Sequence, residues 1–390
     1  MIQIDSRKKD PSMQKTITVR NSEELNTALL SATGGEVIEL VNTGEDYAIS
    51  LYKNFTPDSM VTITAQDLEN PPILHSVYMR EGQNLTFDGL QIGGNAEQAA
   101  DRPDWLTDFY MHDVENVTIT NSKLIGYAEG YAETSEDLVE QIVLIRGGTN
   151  IEFTDNLVSN TLYGMTVTET VGLTITGNEI TQIQGDGVRL AGVQDVLIDD
   201  NYIHDFLSSS NQLVHDDMIQ IWSKGTYTQT QNVQITNNIL DQGEGEWSQT
   251  IFIGNEKTRV DGWTEDDLHE NIVIENNYIH NSHLHAIYLQ GVDGGRVANN
   301  TIIQDEEYVE QLLADAAASG IHANPGTYLP RIRAESNDFN IEIVDNKVVE
   351  VIFNGEGFVV EGNSLDAIGA NLDQPVSCLL YTSPSPRDRG

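Results

Sequence analysis

Short stretches in which apolar and polar residues alternate recur along most of the chain, separated by Gly, Asn and Asp. One such unit covers residues 171–190, where Leu173-Thr174-Ile175 is followed by Asn178, a turn and a second alternating stretch. The same order returns over residues 196–221, with Asn201 placed 23 residues after Asn178. Alternation over such short lengths predicts β-strands, and a fixed period of this size predicts a solenoid.

The asparagine after the first strand of each unit marks the repeat. Its positions are Asn156, Asn178, Asn201, Asn238, Asn277, Asn300, Asn346 and Asn363, with Ser122 and Leu90 in the same place one and two turns earlier. The units lack a leucine-rich frame and a 3.6-residue period, so neither leucine-rich nor helical repeats are expected. Two short strands per unit predict an all-β, right-handed parallel β-helix. In it the asparagines form a side-chain ladder and adopt left-handed backbone at each corner.

The chain is strongly acidic, with 20 Lys and Arg against 61 Asp and Glu and a formal net charge of −41. This charge argues against nucleic acid as a partner, because its phosphates would be repelled. No run approaches the roughly 18 apolar residues of a membrane helix, so no membrane partner is expected. The charged residues 1–14 lack the apolar core of a secretory signal. The single cysteine, Cys378, excludes a disulfide within the chain.

A single domain is expected over residues 15–376, with a short helix that caps its first coil. Asn21 precedes this helix and Glu24 stands three residues later, which is the pattern of a capping box. The apolar face of the helix consists of Leu25, Leu29 and Leu30. Such a helix covers the open end of a solenoid. Residues 1–14 are predicted to be a disordered or cloning-derived tail.

The last residues are of another kind. The segment CLLYTSPSPRD, residues 378–388, continues no repeat and resembles translated sequencing-adapter sequence. This resemblance implies a metagenomic reading frame in which residues 377–390, including Cys378, are not native. The natural C-terminus would then lie elsewhere.

The outward side of the second strand of each unit carries the chemically useful residues. These strands align on the inward residues Val143, Met165, Val188, Ile219, Ile251, Ile287 and Ile321. Neighbouring residues of a strand point to opposite faces. The next, outward positions are Leu144, Thr166, Arg189, Gln220, Phe252, Tyr288 and His322, and two residues further they are Arg146, Thr168, Ala191, Trp222, Gly254, Gln290 and Asn324. The preceding turns add Asp186, His215, Asp216, Asp217, Trp247, Gln249, His283 and His285.

Insertions border these second strands. The path from the ladder asparagine to the second strand takes 9 or 10 residues in regular units, but 18 before Ile219 and 21 before Ile321. The return to the next unit takes 8 residues in regular units, but 20 after Ile321. Insertions on one face of a repeat protein mark its binding face. A groove is therefore expected, with Trp222, Phe252 and Tyr288 on its floor, suited to a linear chain of sugar rings.

The residue types on this face suit proton abstraction beside a carboxylate. Arg189, one of few basic residues, would neutralise a substrate carboxylate together with Gln220, which raises the acidity of the sugar's H5. His215 would act as the base, with Asp216 and Asp217 orienting its imidazole and tuning its pKa. The sequence therefore places the reaction near Arg189 and His215.

The leaving oxygen needs a proton in such a reaction. Tyr288 is expected either to supply it or to stack on a neighbouring sugar, and His285 is the alternative for either proton-transfer role. The remaining predicted substrate contacts are Trp222, Phe252, Gln290, His322 and Arg146.

A bound cation is a further expectation. An acidic protein repels an acidic polymer unless a cation bridges them. Asp186, Asp216 and Asp217 project from adjacent coils and are the predicted Ca²⁺ ligands. No organic cofactor is expected.

The unit pattern resembles the pectate-lyase-like superfamily of right-handed β-helices over residues 15–370. The stretches GDGVRL, NYIHDF, HDDMIQIW and SQTIFIGNE carry the resemblance, and HDDMIQIW is the more specific. The chain looks most like secreted β-helix proteins of marine bacteria of the alginate lyase and mannuronan C5-epimerase kind. This resemblance implies an extracellular protein that acts on an acidic polysaccharide. Mannuronan epimerases carry Asp-Pro-His where this chain has Arg189-Leu190-Ala191, and the Gly-His-Gly of polygalacturonases does not follow Asp216-Asp217.

Three functions stay open from the sequence. The first is a polyuronate lyase or C5-epimerase, both of which begin by removing H5. The second is an inverting glycoside hydrolase that uses Asp186 with Asp216 or Asp217, which requires carboxyl groups about 6.5–9.5 Å apart. The third is a non-catalytic glycan-binding or tailspike-like β-helix. A monomer is expected in each case.

Overall fold

The computed structural model describes residues 15–53, 55–94, 107–128, 130, 141–208, 215–354 and 356–364 of the chain. The predicted tail at 1–14 and the adapter-like segment at 378–388 lie outside the described residues. Within the described part of the chain, no helix is both long enough and apolar enough to cross a lipid bilayer.

Each complete turn of the chain contains three strands rather than the predicted two, because the short stretch after each ladder asparagine is also a strand. Strands of successive turns pair in parallel and form three stacked sheets. Sheet 1 contains β1 (Lys15–Val19), β2 (Glu36–Leu40), β4 (Val61–Ala65), β6 (Gln83–Asp88), β13 (Val171–Thr176), β16 (Gln194–Asp199), β19 (Gln231–Thr236), β22 (His269–Glu275), β25 (Val292–Ala298), β28 (Phe339–Val344) and β30 (Val359–Glu361). Sheet 2 contains β7 (Gln91–Ile92), β9 (Lys123–Ile125), β11 (Leu157–Thr161), β14 (Glu179–Ile183), β17 (Tyr202–His204), β20 (Ile239–Asp241), β23 (Tyr278–His280) and β26 (Thr301–Ile303). Sheet 3 contains β3 (Tyr47–Tyr52), β5 (Ile73–Arg80), β12 (Met165–Thr168), β15 (Val188–Ala191), β18 (Asp217–Trp222), β21 (Gln249–Ile253), β24 (His285–Leu289), β27 (Arg331–Ala334) and β29 (Glu350–Phe353), and the long strands β8 (Phe109–Thr120) and β10 (Val143–Thr154) run from sheet 3 into sheet 1.

The core lies inside the solenoid because alternate strand residues are apolar and point inward. Along sheet 3, Val188, Ile219, Ile251 and Ile287 stack in register with no exposed surface. Full burial of one aliphatic side chain stabilises the fold by about 1.5–3 kcal/mol. A slip of one residue would turn all of these side chains outward, so the stack specifies the register. The outward positions predicted by alternation are confirmed for these strands.

The asparagine ladder is confirmed, and it runs between sheets 1 and 2. The backbone N–H and the side-chain amide of Asn201 both donate to Oδ1 of Asn238, at 3.0 and 2.9 Å. The amide of Asn201 also donates to the carbonyl of Ile175 at 2.9 Å. The same step links all eight predicted asparagines, and the ladder begins at Leu90 and Ser122. Each buried amide is therefore satisfied by a neighbouring coil.

The ladder asparagines do not adopt the left-handed backbone predicted for them. That conformation belongs to the residue immediately before each one, such as Asp155, Asp200 and Asn237 with φ of 56°, 53° and 55°. Gly177 and Gly362 take this place before Asn178 and Asn363, with φ of 66° and 69°. Asp, Asn and Gly are the residues that tolerate this geometry. The bend is thus made one residue earlier, and the ladder asparagine supplies only hydrogen bonds.

We expect Asn238→Ala to lower the free energy of unfolding by about 3 kcal/mol, because each buried polar group left unpaired costs about 1–3 kcal/mol. The Asn238 amide donates to the carbonyl of Ile198 and to Asn277, and its Oδ1 accepts from Asn201. Urea unfolding followed by circular dichroism measures the change. Gln234→Ala, at an exposed position on the same coil, is the control and should change stability by less than about 0.5 kcal/mol. Equal losses in the two variants would contradict a stabilising ladder.

The predicted N-terminal cap is confirmed as α1 (Ser22–Ser31). The side chain of Asn21 accepts a hydrogen bond from the backbone N–H of Glu24 at 2.9 Å. The buried face of α1 consists of Leu25, Ala28 and Leu29. The prediction for Leu30 is wrong, since this residue is 51% exposed and lies off the buried stripe.

A second helix, α2 (Glu306–Ala318), occupies the insertion after β26 and displaces the last predicted strand. The sequence alignment placed Ile321 beside Ile287, but Ile332 of β27 pairs with Ile287 and Ile321 is 63% exposed. His322 therefore lies in an exposed segment after α2. Its predicted place on the outward side of sheet 3, where it would contact substrate, is wrong. Short 3-10 turns lie at Glu256–Arg259, Glu265–Asp267 and Pro325–Tyr328.

Candidate functional site

The outward side of sheet 3 from β12 to β27 forms one continuous surface, which we call the groove face. Register places Arg189, Gln220, Phe252 and Tyr288 side by side on successive strands, as predicted. Arg333 follows them in the place that the sequence assigned to His322. Adjacent strands lie about 4.8 Å apart. A chain-like ligand lying along the solenoid axis would meet these side chains in this order.

Inserted loops border the groove face on both sides. On one side the turn Glu256–Arg259 brings Arg259 to Gln290, whose Oε1 accepts from Nε at 2.7 Å. On the other side Tyr328, from the segment after α2, packs edge-on against Trp247 with ring centroids 5.8 Å apart. The groove face is therefore the floor of a walled groove.

At one end of the groove, two buried carboxylates each hold a more exposed cation. Oδ2 of Asp186 lies 2.8 Å from Nε of Arg189, and Oδ2 of Asp217 lies 3.0 Å from Nδ1 of His215. The aspartate side chains are 3% and 0% exposed, whereas Arg189 and His215 are 22% and 52% exposed. The backbone N–H of Asp217 donates to Oδ1 of Asp186 at 2.9 Å and joins the two pairs. We call these four residues the Asp–cation quartet.

Burial and pairing set the charges of the quartet. Burial raises the pKa of Asp186 well above its usual range, and the neighbouring Asp217 raises it further. Burial also raises the pKa of Asp217, against the effect of His215 and Gln220. The hydrogen-bonded Asp217 carboxylate in turn raises the pKa of His215 to about 9. His215 is therefore protonated at neutral pH, and each cation compensates one buried carboxylate.

Arg189 is held between two aromatic rings. Its guanidinium carbon lies 3.8 Å from the ring centroid of Tyr163 and 4.9 Å from that of Trp222. Sequence reasoning missed Tyr163 because it lies in the turn before β12, outside the alternating columns. Both rings pack against the guanidinium and Asp186 engages its Nε, so the group is held in a defined position. The edge of a guanidinium matches the two oxygens of a carboxylate.

A glutamine amide links His215 to a second histidine. The Nε2 of Gln249 contacts Nε2 of His215, and its Oε1 lies 2.8 Å from Nδ1 of His285. Burial lowers the pKa of His285 to about 4 and that of His283 to about 3, so both are neutral at pH 7. The sequence analysis placed Gln249 in the turn before the second strand of its unit but assigned it no role. Its pairing with Asp217 across β18 and β21 is the signal that would have singled it out.

Aromatic and charged side chains form the other end of the groove. The rings of Phe252 and Tyr288 stack with centroids 4.6 Å apart and an interplanar angle of 4°. The Tyr288 hydroxyl donates to Oε1 of Glu335 at 3.3 Å, and this oxygen also lies 2.8 Å from Nε of Arg333. Tyr288 lies two strands beyond β18, roughly 10 Å along the axis. Tyr288 is only 8% exposed, and the choice between proton donor and sugar-stacking residue stays a prediction.

Three other predicted residues take different places around the quartet. Gln220 donates to Oδ2 of Asp217 at 2.7 Å and so orients the buried carboxylate. Arg146 is exposed on β10, two strands before β15, and lies outside the quartet. Burial raises the pKa of Asp216 to about 7, with Asp217 adding to the effect.

The donor set at the quartet does not fit the predicted Ca²⁺ site. Among the described residues, Asp186, His215 and Asp217 each offer one ligand atom within 4.8 Å of the others, and Asp216 is not part of this group. Ca²⁺ prefers about six to eight oxygen ligands. Here one of the three ligands is an imidazole nitrogen, and Arg189 lies 2.8 Å from one carboxylate.

A separate cavity of about 1080 Å³ lies beside α2. Its lining includes Asp241, Glu244, Glu246, Asp305, Glu306, Glu307 and Glu310. Such a wall repels anions, so this cavity does not suit an acidic polymer.

Residues 141–262 match a family model described as a right handed beta helix region. The Dettilon tailspike protein superposes with a TM-score of 0.57 at 16% identity, over 89% of this chain and 64% of its own. The fold is a right-handed parallel β-helix. The DFA-IIIase of Arthrobacter chlorophenolicus A6 in complex with GF2 superposes on this β-helix with a TM-score of 0.55 at 13% identity, over 91% of this chain and 99% of its own.

An alginate lyase from Paenibacillus sp. str. FPU-7 gives a TM-score of 0.48 at 14% identity, over 75% of this chain and 96% of its own. No curated protein matches the β-helix in sequence. Similarity at these identities shows the fold and says nothing about the reaction.

Proposed function

We propose that this β-helix cleaves an acidic, uronate-containing polysaccharide by β-elimination at the Asp–cation quartet. The observation that carries the proposal is the quartet itself. In a chain of net charge −41, two buried aspartates present an arginine and a histidine to the groove. An anionic sugar is attracted to this place and repelled by most of the remaining surface. Solved structures of similar fold include a tailspike protein and a DFA-IIIase, so the β-helix architecture by itself does not select the reaction.

In the proposed reaction the edge of Arg189 binds the uronate carboxylate. Neutralising this charge stabilises the carbanion that forms at C5. His215 in its neutral form takes the H5 proton, and the electron pair on C5 forms the C4=C5 double bond as the C4–O4 bond breaks. His215 then returns the proton to O4 of the leaving chain. Asp217 stays ionised and stabilises the imidazolium between the two transfers.

The quartet geometry does not favour the paired-aspartate hydrolase. Asp186 and Asp217 are buried, and their ligand oxygens lie within 4.8 Å of each other. An inverting pair stands about 6.5–9.5 Å apart, with a water molecule between the carboxylate and the sugar. The pKa of Asp216 is raised to about 7, so this residue suits the role of the general acid of a hydrolase. It does not by itself supply the second carboxylate that an inverting mechanism needs.

A panel of polyuronates, including alginate, tests the proposal. A lyase produces ultraviolet absorbance from the new C4=C5 double bond, together with shorter chains. An epimerase instead exchanges H5 for deuterium in heavy water without cleavage, which nuclear magnetic resonance detects. Binding of a polyuronate with neither change would reject catalysis and leave a glycan-binding protein.

The proposed role of His215 has a definite pH dependence. In the protein without substrate, the hydrogen bond to Asp217 raises the pKa of His215 to about 9. Because a base must be neutral, kcat/KM should rise with pH and level off above about 9. Asp217→Asn should move this rise toward the ordinary histidine pKa of about 6.5. A profile that falls through pH 9 would show that His215 acts as a cation and not as the base.

A further inference from the structure

We infer that the groove holds a second anion-binding station at Arg259, so that its ligand is a polyuronate long enough to reach from Arg189 to Arg259. The identity of the ligand rests on the proposed function. The second station rests on three separate observations: the partner of Arg259, the way it is held, and its distance from the quartet.

Arg259 is an exposed arginine whose hydrogen-bond partner is neutral. Its Nε donates to Oε1 of Gln290 at 2.7 Å, and its Nη2 contacts the same oxygen. Arg189, Arg331 and Arg333 each lie within 2.8 Å of a carboxylate oxygen. Among the described residues, by contrast, Arg259 forms no ion pair. The charge of Arg259 lowers the pKa of nearby Glu256, but that carboxylate accepts a hydrogen bond from Ser223 and leaves the guanidinium open to an anionic ligand.

Arg259 is also positioned before any ligand arrives. Gln290 directly follows β24, and its backbone N–H donates to the carbonyl of Ile253 at 2.9 Å. The turn that carries Arg259 begins at Asn255, whose buried amide donates to the carbonyl of Gly291 at 3.1 Å. Gln290 and the turn that carries Arg259 are thus both fixed by hydrogen bonds to the backbone at the end of sheet 3. A cation held in this way costs little conformational entropy when it binds a ligand.

The distance between the stations selects for chain length. Gln290 follows β24, three strands beyond the strand of Arg189, which is roughly 14 Å at strand spacing. Trp222 and the Phe252–Tyr288 stack lie between them on the groove face. A single uronate cannot contact both arginines. An oligouronide can, and once it is bound at one station its binding at the other becomes intramolecular.

Calorimetric titration with purified oligouronides of increasing length tests the inference. For the unmodified protein, Kd should fall steeply at the length that first spans both stations. Arg259→Gln should weaken binding of longer oligomers about tenfold and leave shorter ones unchanged, because only the longer ones gain from two linked sites. Arg296→Gln is the matched control, since Arg296 is a partly exposed arginine on sheet 1, outside the groove. It should bind all lengths as the unmodified protein does.

Three results would overturn the inference. If Arg259→Gln binds long oligomers with unchanged affinity, the second station does not exist and the proposed function stands. If Arg296→Gln loses as much affinity, the effect reflects net charge alone. If the unmodified protein binds no oligouronide of any length, the station and the proposed function fail together. Thermal unfolding of each variant shows whether it is folded before it is titrated.

Discussion

His215→Ala should lower kcat on a polyuronate by about 10²–10⁴-fold, the usual effect of removing a general base, while the protein stays folded. The imidazole is half exposed and lies outside the solenoid core. Its loss removes the cation beside Asp217, but burial raises the pKa of Asp217. That carboxyl group can therefore take up a proton instead of remaining an unpaired charge. KM should change little, because Arg189 still binds the substrate carboxylate. Steady-state kinetics and thermal unfolding measure the two parts of this expectation.

His280→Ala is the matched control. His280 also pairs with an aspartate, Asp241, at 2.9 Å, but it lies on sheet 2 outside the groove, so kcat should keep its original value. His285→Ala tests the alternative base, because Gln249 connects His285 to His215. If His285→Ala abolishes turnover and His215→Ala does not, His285 is the base and the assignment of His215 is wrong.

Arg189→Gln should lower kcat/KM by about 10²–10³-fold, as the loss of one preorganised donor to a developing negative charge does. The same change leaves Asp186 buried without its cation. Breaking a buried ion pair costs up to about 3–5 kcal/mol of stability, and less where the buried carboxyl takes up a proton, as the raised pKa of Asp186 allows. A loss of activity in this variant alone would therefore not separate a catalytic role from a structural one.

The double variant Arg189→Gln/Asp186→Asn removes both charges and separates the two effects. Its free energy of unfolding should recover much of the loss, because an amide pair replaces the unpaired charge. Its kcat/KM should stay low, since no cation meets the substrate carboxylate. Urea unfolding and kinetics on the same samples provide both values. If activity recovers together with stability, Arg189 is structural and the proposed carboxylate contact is wrong.

The alternation of apolar and polar residues determined the strands, the register of sheet 3 and the asparagine ladder. These features depend on local geometry, because side chains of a strand point alternately to its two faces. Each coil then repeats the previous one in parallel, so Arg189, Gln220, Phe252 and Tyr288 could be aligned by counting. Counting failed at the insertion that holds α2, where Arg333 and not His322 reaches the groove face. The return of about eight residues from sheet 3 to sheet 1 favours Ile332 over Ile321, and this signal was in the sequence.

Only the tertiary structure decided which acidic residues are buried and what they hold. In the sequence Asp186, Asp216 and Asp217 are three equivalent carboxylates before two strands. In the fold Asp186 and Asp217 lie beneath Arg189 and His215, while Asp216 belongs to neither pair. Burial and pairing depend on side chains that come together from different coils, and these contacts set the pKa of each group. The chain itself therefore specifies a solenoid with a polar face, and packing between its coils pairs two of the three acidic residues with an arginine and a histidine.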